Sequence, residues 1–190
     1  PIFPIVLVDK QEMGDAMLPD LYGLWEKSEA RREEMLALID GLTPEELLFK
    51  LEPDRWNILQ VLQHVVMGEA GMRRSEFELR DNPVRDILQP GKMYQVVKDV
   101  LEKDVPVDVP DPFVVPDGKT TVDELRATWQ KERRAMTDLL KTVTTENREQ
   151  VMFSHAAAGP LTALQMLEIA VAHLGTHRRQ IDRIRTELPG

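Results

Sequence analysis

The stretch Thr162-Ala163-Leu164-Gln165-Met166-Leu167-Glu168-Ile169-Ala170-Val171-Ala172-His173-Leu174-Gly175-Thr176-His177 reads as the opening of a long helix. Leu164, Leu167, Ile169, Ala170, Leu174, Ile181 and Ile184 recur at helical spacing. Thr162 with Gln165 three residues on is a capping-box start, and Pro189-Gly190 follow the end. His173 and His177 are four residues apart, which puts both imidazoles on one face, one turn apart. Met166, Ala170, Gln180 and Ile184 share that stripe, so the face should turn inward.

Three more segments carry the same period. They are Leu21, Leu24, Trp25, Ser28, Met35, Leu38 and Ile39, ended by Gly41; Ile58, Leu59, Val61, Leu62, Val65, Val66 and Met72; and Val122, Leu125, Trp129, Met136, Leu139, Leu140 and Val143. Asn57 with Gln60 and Thr121 with Glu124 mark the starts of the last two. Four amphipathic helices of about 20 residues bury one another's stripes most simply as an all-α four-helix bundle. Thr43-Pro44-Glu45-Glu46 opens a short helix between the first two long ones, and Thr145 to Gln150 reads as a short turn. Residues 81–120 hold Pro83, Pro90, Pro106, Pro110, Pro112 and Pro116, with few helical stripes beyond Met93 to Leu101. A connection of that length easily crosses a helix of about 30–36 Å. The second and third helices need not be antiparallel neighbours, and an up-down-down-up bundle with one long crossover is favoured. Strand-like patterning is confined to an N-terminal arm, residues 1–14, and to Val105 to Val115. The 190 residues are expected to form a single domain.

Composition narrows the function. Hydrophobic residues make up 42% and charged residues 30%, a globular balance. The net charge of −9 argues against nucleic acid or an anionic membrane as partner. No stretch reaches the roughly 18 apolar residues of a membrane span. The apolar start Pro1 to Val8 is short, broken by Pro4 and lacks a preceding basic segment, so it is not read as a signal peptide, and a cytoplasmic location is the default. There is no cysteine, which excludes disulfides, thiolate metal sites and an internal thiol nucleophile. Any thiol chemistry must use a thiol brought by a cofactor or substrate.

The chain has four histidines: His64, His155, His173 and His177. His64 lies in the second helix, on a stripe with Val61, Gly68 and Gly71. A lone inward histidine is usually a core residue bonded to a carbonyl or carboxylate, and an i, i+4 pair is often a surface accident. The combination says more, because three buried imidazoles with no shared partner would each cost desolvation free energy. One divalent cation on His64, His173 and His177 satisfies all three. Three neutral nitrogen ligands and one open position is a catalytic arrangement for zinc, and imidazole also suits nickel, iron and copper.

Trp56-Asn57-Ile58-Leu59-Gln60-Val61-Leu62-Gln63-His64 resembles the tryptophan, cap residue and helix-borne histidine of the DinB-like (damage-inducible) superfamily. His155-Ala156-Ala157-Ala158-Gly159-Pro160-Leu161-Thr162, followed by His173 to Ile181, resembles its last loop and helix, and the motif His-x-x-x-His-x-x-Gln-Ile is met residue by residue. The resemblance runs over roughly residues 15–187. It implies an up-down-down-up bundle, a divalent metal on the three histidines and often a homodimer. Members with known activity are thiol-dependent: transferases joining bacillithiol or mycothiol to electrophiles, and a maleylpyruvate isomerase.

The expected function is therefore a metal-dependent enzyme adding or transferring a low-molecular-weight thiol to an electrophilic small molecule, with zinc, nickel or iron as the metal. Two alternatives stay open. One is hydrolysis by a metal-bound water, which also wants a carboxylate base. The other is a non-catalytic, metal-stabilised dimer with a binding or stress role. His155 is a candidate acid or base at the pocket mouth, against the reading of an exposed loop histidine. Gln180 is a candidate polar partner beside the metal, against the filling of a buried polar gap. Arg178 is a candidate anchor for an acidic thiol cofactor, against a solvated helix face. Trp25, Trp56 and Trp129 read as core.

Overall fold

The computed structural model of the chain describes residues 16–80, 90–103 and 114–189. These residues are mostly helical. The elements, in order, are α1 (Pro19–Ile39), α2 (Pro44–Leu48), α3 (Ile58–Arg80), α4 (Pro90–Glu102), α5 (Val122–Leu140), the strands β1 (Phe153–His155) and β2 (Gly159–Leu161), and α6 (Ala163–Thr186). The expected N-terminal arm and most of the strand-like stretch Val105 to Val115 lie outside the described residues. Among the described residues no helix is long and apolar enough to cross a membrane.

The helix starts follow from side-chain chemistry. At α2, α5 and α6 a threonine hydroxyl accepts from the third backbone N–H, while the glutamate or glutamine there returns a bond to the threonine's own N–H. Asn57 and Gln60 make the same reciprocal pair at α3. Each box satisfies two donors that a helix start otherwise leaves bare. The first helix begins on Pro19 without a side-chain cap and ends before Gly41, whose φ of +79° no continuing helix allows.

Two apolar clusters run through the long helices. One joins Leu21 and Trp25 of α1, Met72 of α3, Leu139 and Leu140 of α5 and Met166 and Leu167 of α6. The other joins Met35 and Ile39, Ile58 and Leu62, Leu125 and Trp129, and Ile181 and Ile184 of the same four helices. The starts of α1 and α6 thus meet the ends of α3 and α5. The first and last helices pack side by side, and α3 touches both α5 and α6.

Along their helices, Ser28, Glu69 and Arg133 fall between the two clusters, and all three are buried. The Arg133 guanidinium lies 3.7 Å over the Trp25 ring. It donates to Ser28 Oγ at 2.6 Å, to Glu69 Oε1 at 3.3 Å and to Glu29. A buried cation is tolerated because its donors are met and two carboxylates balance its charge.

The crossover holds a 13-residue helix, α4, over the Met93 to Leu101 stripe, and it packs Tyr94 against α6 through a bond to Glu168. The end of α4 is held as well, since the Leu101 carbonyl accepts from Thr176 Oγ1 and from Arg179. One feature departs from the sequence reading, an antiparallel hairpin before α6 that pairs Phe153 with Leu161 and His155 with Gly159. Its strands have three residues each, too short for alternation to show in a sequence, yet Phe153 and Leu161 are both fully buried and key the hairpin into the first cluster.

Candidate metal centre

The third and last helices bring His64, His173 and His177 together, with one nitrogen from each ring inside a 4.8 Å cluster. His173 Nε2 stands 3.2 Å from His64 Nε2 and 3.0 Å from His177 Nε2. The ring centroids are 4.5–5.2 Å apart, and the rings meet edge to face. Helix geometry explains the pair on α6, one turn apart, and Gly68 explains the approach of α3. A Cβ at Gly68 would already touch His173 Cε1 at 3.6 Å, so a larger side chain there would crowd the ring.

The outer nitrogens decide the chemistry of the inner ones. His64 Nδ1 is 2.8 Å from the Val114 carbonyl, and His177 Nδ1 is 2.9 Å from Gln180 Oε1. The Val114 carbonyl can only accept and Gln180 presents its oxygen, so in this arrangement both Nδ1 atoms carry the proton and, in the neutral rings, both Nε2 atoms carry a lone pair. His173 Nε2 faces both. A single ring proton can bridge to one of them only, so at least one lone pair in the cluster is left against another nitrogen. One cation resolves the conflict. Tetrahedral ligands at the usual zinc–nitrogen length stand roughly 3.3–3.4 Å apart, within a few tenths of an ångström of the two spacings to His173, and the third pair lies within 4.8 Å. The donor set fits a divalent metal, with its outer nitrogens fixed in the manner of metal-ligating histidines.

Electrostatics favour the ligating state. Burial pushes the His64 imidazole below its ordinary value, and the Val114 carbonyl only partly opposes this. Burial pushes His173 further down, and His177, His64 and His155 each oppose a charge on it. A depressed folded-state pKa means that the unfolded chain binds more protons, so stability is complete above the unfolded value of about 6.5 and is lost as pH falls through the folded values. The thermal midpoint of chelator-treated protein should therefore hold steady above about pH 6.5 and fall on acidification below it. In His173→Ala the fall should be shallower. Parallel pH profiles for the two proteins would contradict this.

The remaining sequence candidates take different places. Gln180 sits beside His177, as its partner. His155 lies in β1, where its Nδ1 accepts from the backbone N–H groups of Ala157 and Ala158, at 3.1 Å each, while its charge is felt at His173. Arg178 turns to α1, with Nε 2.9 Å from Glu34 Oε2; its N–H is angled off the oxygen, so the contact is an ion pair rather than a hydrogen bond. Trp25 and Trp129 are buried in the core, but Trp56 is only half-buried and packs on His64 with centroids 4.8 Å apart.

A family model described as the DinB superfamily matches residues 28–181, a span that contains all three clustered histidines and Gln180. The chain belongs to the DinB superfamily. No curated protein and no solved structure matches it. Two contacts of this DinB centre had no sequence signal of the usual kind. The Val114 carbonyl is backbone, which no residue type advertises. Trp56 stood in the quoted motif, but its distance from His64 in sequence, neither three nor four, hid their packing.

Proposed function

We propose that this DinB chain is a divalent-metal-dependent enzyme that adds or transfers a low-molecular-weight thiol to an electrophilic small molecule, on an up-down-down-up four-helix bundle. The observation that carries the reading is the convergence of three ring nitrogens, two of them held with the lone pair inward by Val114 and Gln180. His64, His173 and His177 would hold zinc, nickel or iron. When bound, such an ion supplies the Lewis acidity that takes the proton from a coordinated thiol or water. The homodimer implied by the resemblance belongs to the same proposal.

The chain's own groups do the rest. Val114 and Gln180 fix ring orientation and tautomer, and Trp56 covers one flank of His64. The Nδ1 of His155 is occupied by two amides, so any proton this residue delivers leaves from Nε2. Thiol chemistry is favoured over hydrolysis by the three carboxylates that lie five residues from a ligand, about 140° round the helix from it. Glu69 is spent on Arg133 and Glu168 on Tyr94 and Lys98, and Asp182 is displaced from His177 by the same turn.

The test compares metal-loaded with chelated protein in the conjugation of bacillithiol, mycothiol and glutathione to monochlorobimane. Faster conjugation with at least one thiol, lost on chelation, is the expected result. Conjugation of none, together with hydrolysis of an ester or amide panel, would replace the transferase by a hydrolase. Silence in both assays would leave a binding protein. The Gln180→Leu variant should bind zinc about 10–100-fold more weakly, because the outer partner of His177 is gone. An unchanged zinc affinity in a competition titration would remove Gln180 from the site.

A further inference from the structure

We propose that Gln63 is a positioning residue for the three-histidine centre, acting through residues 114–120 on the ring of His64; the proposal rests on the reading that this centre holds a metal. Gln63 precedes His64 on α3 and is almost fully buried, at 7% exposure. Its amide is used at both ends. Nε2 donates to Asp117 Oδ1 at 2.8 Å, with a longer contact to Thr120 Oγ1 at 3.4 Å, and Oε1 accepts from the Gly118 N–H at 2.8 Å. Those bonds strap residues 114–120 across the start of α3.

The strap is shaped to lie there. Asp117 Oδ1 also accepts from the Lys119 N–H at 3.0 Å, closing a local turn, and Pro116 before it is buried. Gly118 has a φ of +70°, and a Cβ on it would stand 3.3 Å from Gln60 Cγ, so this position needs glycine for both conformation and approach. At the near end of the strap the Val114 carbonyl meets His64 Nδ1. Consecutive residues of α3 thus hold opposite ends of one short segment, Gln63 at 117–118 and His64 at 114.

The consequence is a coupling. The carbonyl can only accept, so it selects the His64 tautomer with the lone pair on Nε2, the form that ligates. Releasing the Gln63 end frees the carbonyl to drift, and His64 can then place its proton on Nε2, facing inward. By linkage, a metal on Nε2 holds the strap as firmly as the strap favours the metal. Metal binding should therefore slow backbone exchange at Gly118.

The experiment compares wild type with Gln63→Leu, Asp117→Ala, Asp117→Asn and, as a control that loses a cap elsewhere, Thr43→Ala. Three readouts are taken: zinc affinity by competition with a chromophoric chelator, the His64 tautomer in metal-free protein by ring-nitrogen NMR, and amide exchange at Gly118 with and without zinc. Gln63→Leu should bind zinc about tenfold more weakly, at the lower end of the effect of outer partners. It should also show a mixed His64 tautomer and lose protection at Gly118. Asp117→Ala, altered on an exposed residue, should shift the same readouts in the same direction and decides the matter if Gln63→Leu fails to fold. Asp117→Asn keeps an acceptor and should restore them, and Thr43→Ala should move none. An unchanged tautomer and zinc affinity in folded Gln63→Leu would overturn the proposal. If wild type binds no zinc, the metal reading fails, and the tautomer comparison in metal-free protein still decides the role of Gln63.

Discussion

His173→Ala is expected to strip the chain of its metal and of nearly all metal-dependent activity. The loss should exceed the roughly 10–100-fold that an outer partner of a ligand costs. His173 is the middle member of the cluster, its Nε2 within 3.2 Å of both other rings. Without it, His64 and His177 offer two nitrogens from different helices and nothing to bridge them. Groups that act as a unit are not additive, so His173→Ala and His64→Ala/His173→Ala should be equally inactive. Elemental analysis of protein purified without chelator should give close to one metal per chain for wild type and almost none for His173→Ala. His155→Ala should keep its metal, because the ring sits in the hairpin with Nδ1 committed to Ala157 and Ala158. Full occupancy in His173→Ala/His177→Ala would end the three-histidine assignment.

Arg133→Ala is expected to have the largest effect on stability of any single substitution outside the apolar core. Removing one partner from a buried ionic network leaves the others charged and unpaired, at a cost of about 3–5 kcal/mol. Here the stranded groups are Glu69, buried on α3, and one side of Glu29, and the Trp25 ring loses the cation stacked on it. In a chain of this size the thermal midpoint should drop by roughly 6–20 °C. The double variant Arg133→Met/Glu69→Leu removes the orphaned charge with the cation and should recover much of the loss. A midpoint for Arg133→Ala within a degree or two of wild type would show the network to be dispensable.

Helix starts were readable because their chemistry is local: a threonine or asparagine and a glutamine or glutamate three residues on carry the whole signal. The meeting of His64 with His173 and His177 was readable for a different reason. Histidines were so few, and so consistently on inward stripes, that a common partner explained them best. What escaped was decided by contacts across the fold. Glu69 lies five residues past His64, which turns it away from the ligands, but it faces Arg133 among the packed helices rather than water. Arg178 on a charged helix face gave no hint of Glu34 on α1. The Met93 to Leu101 stripe marked most of α4, yet nothing in it foretold that Thr176 and Arg179, flanking His177, would hold its last turn. The hairpin at Phe153 was hidden by brevity, and the Val114 carbonyl by belonging to the backbone.

The sequence separation of the ligands has a mechanical meaning. His64 and His173 are 109 residues apart, and a cation shared between them would close the greater part of the chain into a ring. In polymer terms this is a staple without sulfur, in a protein with no cysteine to make one. A covalent tie around a loop of that size removes about 4.7 kcal/mol of disorder from the unfolded chain in the entropic account. A coordinate tie differs in being undone by a chelator or by acid. It also forms late, since its two ends must first be brought together by the helices that carry them. Its kinetic signature would be slower unfolding with little change in the rate of folding.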